Sequence, residues 1–159
     1  MSKAKLLVTA ALIGLAGLVI PGVALYNWAS TSTGSGMSDY PASKVWTYNC
    51  EYEDQKPTEL LEYCADGNGG IANIEWSSWS SEGAEGTGVY FRNNCEPDCA
   101  SGKFSYTHVA VYLDVPVEGK GKVHLTAVSY QEIDKARQVV DGGISGGWDV
   151  SEMYRMMRA

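Results

Sequence analysis

The sequence predicts an all-β fold: a small antiparallel meander closed as a barrel or sandwich, behind an N-terminal transmembrane or signal helix and ahead of a short C-terminal helix. Three observations carry that prediction. Between Tyr106 and Val117, Val109, Val111, Leu113, Val115 and Val117 alternate with His108, Ala110, Tyr112, Asp114 and Pro116. This is the period-two pattern of a strand with one buried face. The alternation returns in Val123, Leu125 and Ala127, across a Glu118-Gly-Lys-Gly121 connection of the kind that joins hairpin strands. Glycine-rich stretches at 66–70 and 83–88 punctuate the rest as turns.

From the N-terminus, Lys3 and Lys5 precede Leu6–Tyr26, a run of 21 residues without a charged side chain. About 20 apolar residues suffice for a helix to cross a hydrocarbon core. Two readings are open. As a signal peptide, Leu6–Ile20 is the apolar region, and Pro21-Gly22-Val23-Ala24 offers small residues for cleavage after Ala24. As an uncleaved anchor, the run continues through Pro21, with Tyr26 and Trp28 as interfacial aromatics. The anchor is preferred. No cysteine lies near the end of the segment, which argues against a lipid-anchored lipoprotein.

Both readings hold the N-terminus in the cytoplasm and send the rest across. The expected location is the cell membrane, single-pass, with the main domain extracytoplasmic; the alternative is secretion after cleavage near Ala24. The expected organisation is anchor or signal peptide over 1–28, a flexible Ser/Thr/Gly linker over 29–43, a β domain over 44–130 and a helical tail over 131–159.

Charge narrows the partners. The chain carries −7, and without the two lysines of its first 30 residues the remainder carries −9. An acidic domain repels nucleic-acid phosphates, so nucleic acid is excluded as a partner. The membrane is expected to be engaged through residues 6–26, not through surface charge.

Within the domain, Val89 and Phe91, with Tyr90 and Arg92 between them, make a third strand. Ile74 and Trp76 centre a fourth, Leu60–Tyr63 a fifth and Val45–Tyr52 a sixth. Four cysteines, Cys50, Cys64, Cys95 and Cys99, all follow the hydrophobic segment. In an exported domain an even number points to two disulfides, with three possible connectivities. A local Cys95–Cys99 link, with Pro97 bending the turn, is sterically reasonable and leaves Cys50–Cys64. A hairpin turning at Asp54–Pro57 would instead set Cys50 beside Leu60, and Cys64 would then pair with Cys95 or Cys99. Metal binding is disfavoured, because Cys50 and Cys64 form no second knuckle.

Beyond Tyr130, Gln131–Val140 has helical composition, and Asp141-Gly-Gly-Ile-Ser-Gly-Gly147 breaks it. A final helix is expected within Trp148–Ala159, capped by Asp149 or Ser151, with Val150, Met153, Tyr154 and Met157 on one face. Packing on the domain, the commoner fate of such tails, and docking to a partner behind a glycine hinge are both open, and the tail is expected to serve binding more than folding.

Trp76-Ser-Ser-Trp79-Ser80 spells a motif of class I cytokine receptors and is similar to the W-x-x-W of thrombospondin repeats. Its place in mid-domain, with no cysteine after the tryptophans until Cys95, fits neither context. On an ideal strand the three-residue spacing sends the two indoles to opposite faces, one core and one exposed. A longer pattern covers about residues 60–128: Cys64-Ala-Asp-Gly-Asn68, Ile74-Glu-Trp-Ser-Ser-Trp79, Ala84-Glu-Gly-Thr-Gly88 and Asn94-Cys-Glu-Pro-Asp-Cys-Ala-Ser-Gly102. It resembles a family of small exported proteins of actinobacteria and their phages. The resemblance implies export and fold, and supplies no catalytic residues.

No nucleophile elbow, His-Glu-x-x-His or phosphate loop occurs. His108 and His124 fall on the polar sides of their strands. Asp66, Glu75, Glu96 and Asp98 are the carboxylates that glycan cleavage would draw on, and Asp66 with Asn68 would be the start of a calcium site. None forms a motif, so no catalytic residue, metal ligand or cofactor is assigned and no enzymatic activity is expected. Five Trp and ten Tyr against two Phe favour rings with a polar handle, suited to wet contact surfaces. The expected binding residues are Trp79, Tyr90, Tyr106 and Tyr112 in the β domain, and Trp148, Met153, Tyr154 and Met157 in the tail. The expected function is a membrane-tethered extracytoplasmic binding module with a protein partner in the cell envelope, or an accessory subunit of an envelope complex. The alternative is a cell-wall glycan-binding protein or glycan-cleaving enzyme.

Overall fold

Alternation and glycine turns build the meander that the sequence foretells, and more chain joins it than expected. The computed structural model describes residues 40–157. The anchor, its cleavage site and most of the linker therefore lie outside the described residues. Among those described, no helix is long and apolar enough to cross a membrane. Mostly strand, they form a curled half-barrel sheet of eight strands. These are β1 Val45–Asn49, β2 Tyr52–Asp54, β3 Glu59–Leu61, β4 Gly69–Ser80, β5 Gly83–Asn93, β6 Phe104–Gly119, β7 Lys122–Glu132 and β8 Ser145–Asp149, followed by α1 Glu152–Met157.

The sheet order is β2-β1-β7-β6-β5-β4-β3, with β8 also on β7. β3 to β7 are consecutive antiparallel neighbours. The β6–β7 turn is two residues, Lys120 and Gly121, both at positive φ, the geometry that matches strand twist in a tight hairpin. β1 breaks the meander by running parallel to β7, Val45 opposite Val123 and Thr47 opposite Leu125. The other half of that same β7 edge, Ala127–Gln131, pairs with β8. Two strands a hundred residues apart in sequence thus lie end to end along one neighbour.

Val45, Leu60, Ile71, Val109, Val111, Leu113, Leu125 and Val128 fill the concave side. Val115 and Val117 were expected there and are exposed instead. Val115 adopts φ 52°, and its carbonyl accepts from the Thr126 hydroxyl at 2.9 Å. That twist shifts the inward phase by one residue, turning half-buried Pro116, opposite Leu125, toward the core and Val117, opposite His124, outward. β5 reverses expectation more fully. Ala84 and Tyr90 are buried, while Val89 and Phe91 turn outward. Gly86 and Gly88 make this possible: a Cβ on Gly88 would sit 2.8 Å from Ile71, so the strands approach through glycine.

A bulge settles the tryptophan spacing. Trp76 pairs with Gly86 but Ser78 with Glu85, so one extra residue enters β4. Both indoles then turn to the same side, 5.1 Å apart and edge-to-face. Trp79 Nε1 donates to Val45 O at 3.2 Å and Trp76 Nε1 to Pro57 O at 2.8 Å. Neither is a free surface ring.

Both disulfides are the sequence-local ones, Cys50–Cys64 and Cys95–Cys99, and no described cysteine is free. The expected hairpin at Asp54–Pro57 is absent. The chain turns at Cys50-Glu51, with Asn49 opposite Tyr52, and β3 then passes close to β1. There the Asn49 carboxamide donates to Glu59 O at 3.0 Å and accepts from Leu61 N at 3.1 Å. One side chain thus imitates a strand peptide across the open seam.

The region expected to be helical from Gln131 is not. β7 continues to Glu132, an Ile133–Val139 bridge closes a loop, and the Gly-Gly segment is β8. Only six residues form α1. The glycines do not make a hinge: a Cβ on Gly147 would meet Val128 O at 2.4 Å, so they let β8 pack closely on β7.

Candidate binding surface

The outer face of β5 and β6 places aromatic rings in solvent. Phe91 lies opposite Tyr106, and Asn93 opposite Phe104. The Phe91 and Phe104 rings are 6.2 Å apart, and Phe104 and Tyr106 are 6.3 Å apart at 27°. Phe104 is 44% and Tyr106 69% exposed, although rings of this size favour burial. Val89 and His108 continue the face into a cleft of about 740 Å³, which Glu75 and Thr87 also line. Its wall is the loop after β7, which carries Asp134, Lys135 and Arg137. Asp134 Oδ1 accepts from Ala136 N at 2.8 Å and Gln138 N at 2.9 Å, fixing that wall. Apolar rings and charges of both signs therefore share one open surface.

Of the expected binding residues, Tyr106 stands fully on this face. Tyr112 shares its phase on β6 and lines a second cleft of about 430 Å³ with Glu82, Glu85 and Asp114. Trp79 and Tyr90, expected at the surface, lie in the core instead. Tyr90 stacks on Tyr130 at 4.4 Å, and its hydroxyl donates to Glu62 at 3.0 Å. Burial foremost, with hydrogen bonding to Tyr130 and Glu62, raises its pKa far above the ordinary value. Trp148 packs half-buried against the core through Tyr130. Tyr154 is half-buried too: it lies 4.2 Å from the Tyr48 ring and donates to Glu53 at 3.0 Å. The side chains of Met153 and Met157 lie outside what is described. The tail through Tyr154 thus packs on its own domain.

The four carboxylates do not converge. Asp66 Oδ1 accepts from Asn68 N in its own turn, and hydrogen bonding from Asn68 lowers its pKa. Asp98 accepts from Ser101 N in the disulfide loop that also holds Glu96. Glu75 sits in the large cleft, six strand residues beyond Gly69 and so about 20 Å further along β4. Asn68 Oδ1 is engaged by Asn93 at 2.9 Å. Among the described residues, no group of three or more His, Cys, Asp or Glu could hold a metal ion.

One cluster was not foreseen. Glu53 on β2 accepts from Lys122 at 2.7 Å and from Tyr154, and lies 3.6 Å from His124 Nε2. The Lys122 ammonium sits 4.1 Å over the Trp46 ring, and His124 stacks on Tyr48 at 4.8 Å. Lys122 chiefly draws the Glu53 pKa down. Burial lowers that of His124, and Glu53 partly opposes it. The parallel β1–β7 pairing assembles this cluster, and no local sequence signal announces such a pairing.

Comparisons of the chain with family models, with curated proteins and with solved structures find no match.

Proposed function

We propose that the chain is a membrane-tethered, extracytoplasmic module of the cell envelope that acts by binding a protein partner. The single observation that carries the reading is the exposed Phe91–Phe104–Tyr106 face beside the mixed-charge cleft. Solvated aromatic rings flanked by polar groups suit protein contact, where Tyr and Trp dominate the binding energy. Two disulfides suit an oxidising compartment. The uncharged run after Lys3 and Lys5 supports an anchor with its N-terminus inside, and the resemblance to small exported proteins fits that route. In this reading the N-terminal segment is a transmembrane helix, and the seam between β1 and β3 completes the barrel.

Cross-linking and affinity recovery of the full chain in gentle detergent test the reading. Tyr106→Ala and Phe104→Ala should each reduce the recovered partner about tenfold, a loss of roughly 1.4 kcal/mol. Tyr52→Ala, which removes an equally exposed ring from β2, should leave recovery unchanged. Equal losses in all three variants reject this face. A reporter fused after Ala159 that is active only in the cytoplasm rejects the topology.

A further inference from the structure

The sheet carries a second surface with different chemistry, the unpaired edge of β8. Val150 N donates to Thr126 O at 2.9 Å, and Glu132 N donates to Ile144 O at 2.8 Å. These two bonds fix residues 144, 146, 148 and 150 as those that face β7. In an antiparallel ladder the intervening residues turn their amides and carbonyls the other way. Ser145, Gly147 and Asp149 therefore present N–H and C=O groups outward, and among the described residues no strand pairs with that side.

Edges of this kind template pairing with another chain, and proteins blunt them with lysine, proline or a bulge. Here the outward residues at the start of the edge are serine and glycine, all exposed. A pocket of about 120 Å³ opens beside the edge, lined by Leu61, Trp148, Val150 and Met156 and by the Cys50–Cys64 link. Trp148 Nε1 is buried without a hydrogen-bond partner among the described residues. The rim is acidic, through Glu62, Asp149 and Glu152. Arg155 pairs with Asp149 at 2.7 Å, and Glu62 accepts from the Tyr90 hydroxyl at 3.0 Å, which leaves Glu152 the least engaged acid of the rim among the described residues.

We propose that the free edge of β8 is a strand-addition site for an extended segment of a partner protein in which lysine or arginine alternates with aliphatic residues. Main-chain bonds to Ser145 and Gly147 supply the pairing. Aliphatic side chains on one face of the added strand enter the Leu61–Trp148 pocket, and the long cationic stems on the other face bend around the strand toward the acidic rim at Glu152 and Glu62. The site goes beyond the aromatic face and is tested separately from it.

The test is amide hydrogen exchange on the full-length chain in detergent micelles, with a capped heptapeptide alternating lysine and valine as probe. Exchange at Ser145 and Gly147 should slow by at least about tenfold, while Gly146 and Trp148, already paired to β7, should change little. A glutamate-for-lysine peptide should give about tenfold weaker protection. Ser145→Pro deletes an outward amide that β7 does not use, and should abolish the effect at Gly147. Unchanged exchange at Ser145 and Gly147, equal protection by both peptides, or protection that survives Ser145→Pro overturns the proposal. Should Ser145→Pro fail to fold, the two peptides on the unaltered chain still decide. None of these outcomes bears on the Tyr106 surface, so the two readings fail independently.

Discussion

The meander of β4 to β7 and the seam where β1, β3 and β8 approach one another hold together by different means. In the meander, long ladders between sequence neighbours bury Ile71, Val109, Val111, Leu113 and Leu125. Many small contributions add there, and tight turns set the register. The seam has short strands from distant parts of the chain, and relies on point contacts: one carboxamide at Asn49, one disulfide, and the indoles of Trp79 and Trp148. Regular pairing spreads its cost over many residues, whereas a seam concentrates it. Single changes at the seam should therefore carry effects usual for a core.

Truncation after Gly147 should have the largest effect. It removes the last two residues of β8, Trp148 among them, together with Val150, at about 1.5–3 kcal/mol per buried side chain. A melting temperature unaltered by truncation would return the tail to a separate docking element and break the comparison. Replacing Cys50 and Cys64 by serine should cost about 3 kcal/mol in denaturant midpoint at constant slope, from loop closure alone. The same change at Cys95 and Cys99 should cost less, because the loop is shorter and lies away from the seam. Asn49→Ala removes both bonds at the half-exposed seam, a loss of about 0.5–1.5 kcal/mol in the same measurement.

The smallest effect is on acidity. His124 has a folded pKa below its ordinary 6.5, so its contribution is complete above that value and is lost as pH falls through the folded one. Glu53, held below 4.5, adds a second loss further down. Melting temperature should decline as pH falls below the ordinary histidine value of 6.5, and His124→Gln should flatten the upper part of that decline. A profile that rises on acidification would reverse the sign assigned to His124.

Legibility in the sequence follows the same division. Alternation in 106–113 and the Gly119–Gly121 turn give β6, β7 and their hairpin directly, because both signals are local. Tyr90 was misplaced because Val89 and Phe91 are the more apolar pair; the better signal was the small series Ala84, Gly86 and Gly88, which marks a face of close approach. The bulge at Ser77 and the left-handed backbone at Val115 each shift a phase, and neither leaves a mark that pattern reading detects. In the sequence the paired glycines of β8 look like a hinge, because nothing local shows that a neighbouring strand demands their lack of side chains. At the candidate surface the outward placement of Tyr106 is legible from strand phase, as is that of Tyr112 beside the second cleft. Phe104 was not, since nothing in Ser101-Gly-Lys-Phe104 fixes where β6 begins. The Glu53–Lys122–His124 cluster depends wholly on long-range pairing.

The connectivity of the two disulfides also bears on how the chain is made. β1 cannot meet β7 until some 75 residues have followed it, as the separation of 78 between Thr47 and Leu125 requires. The thiols face no such delay. Cys64 is the next cysteine to be synthesised after Cys50, and Cys99 the next after Cys95. If the first link closes before Cys95 emerges, each cysteine meets its native partner with no free competitor present. Oxidation that keeps pace with the emerging chain reaches the final pairing in order of appearance, with no exchange between the two pairs. The first link is then in place while the strands that will surround it are still being made, and it holds the start of the seam ready for them.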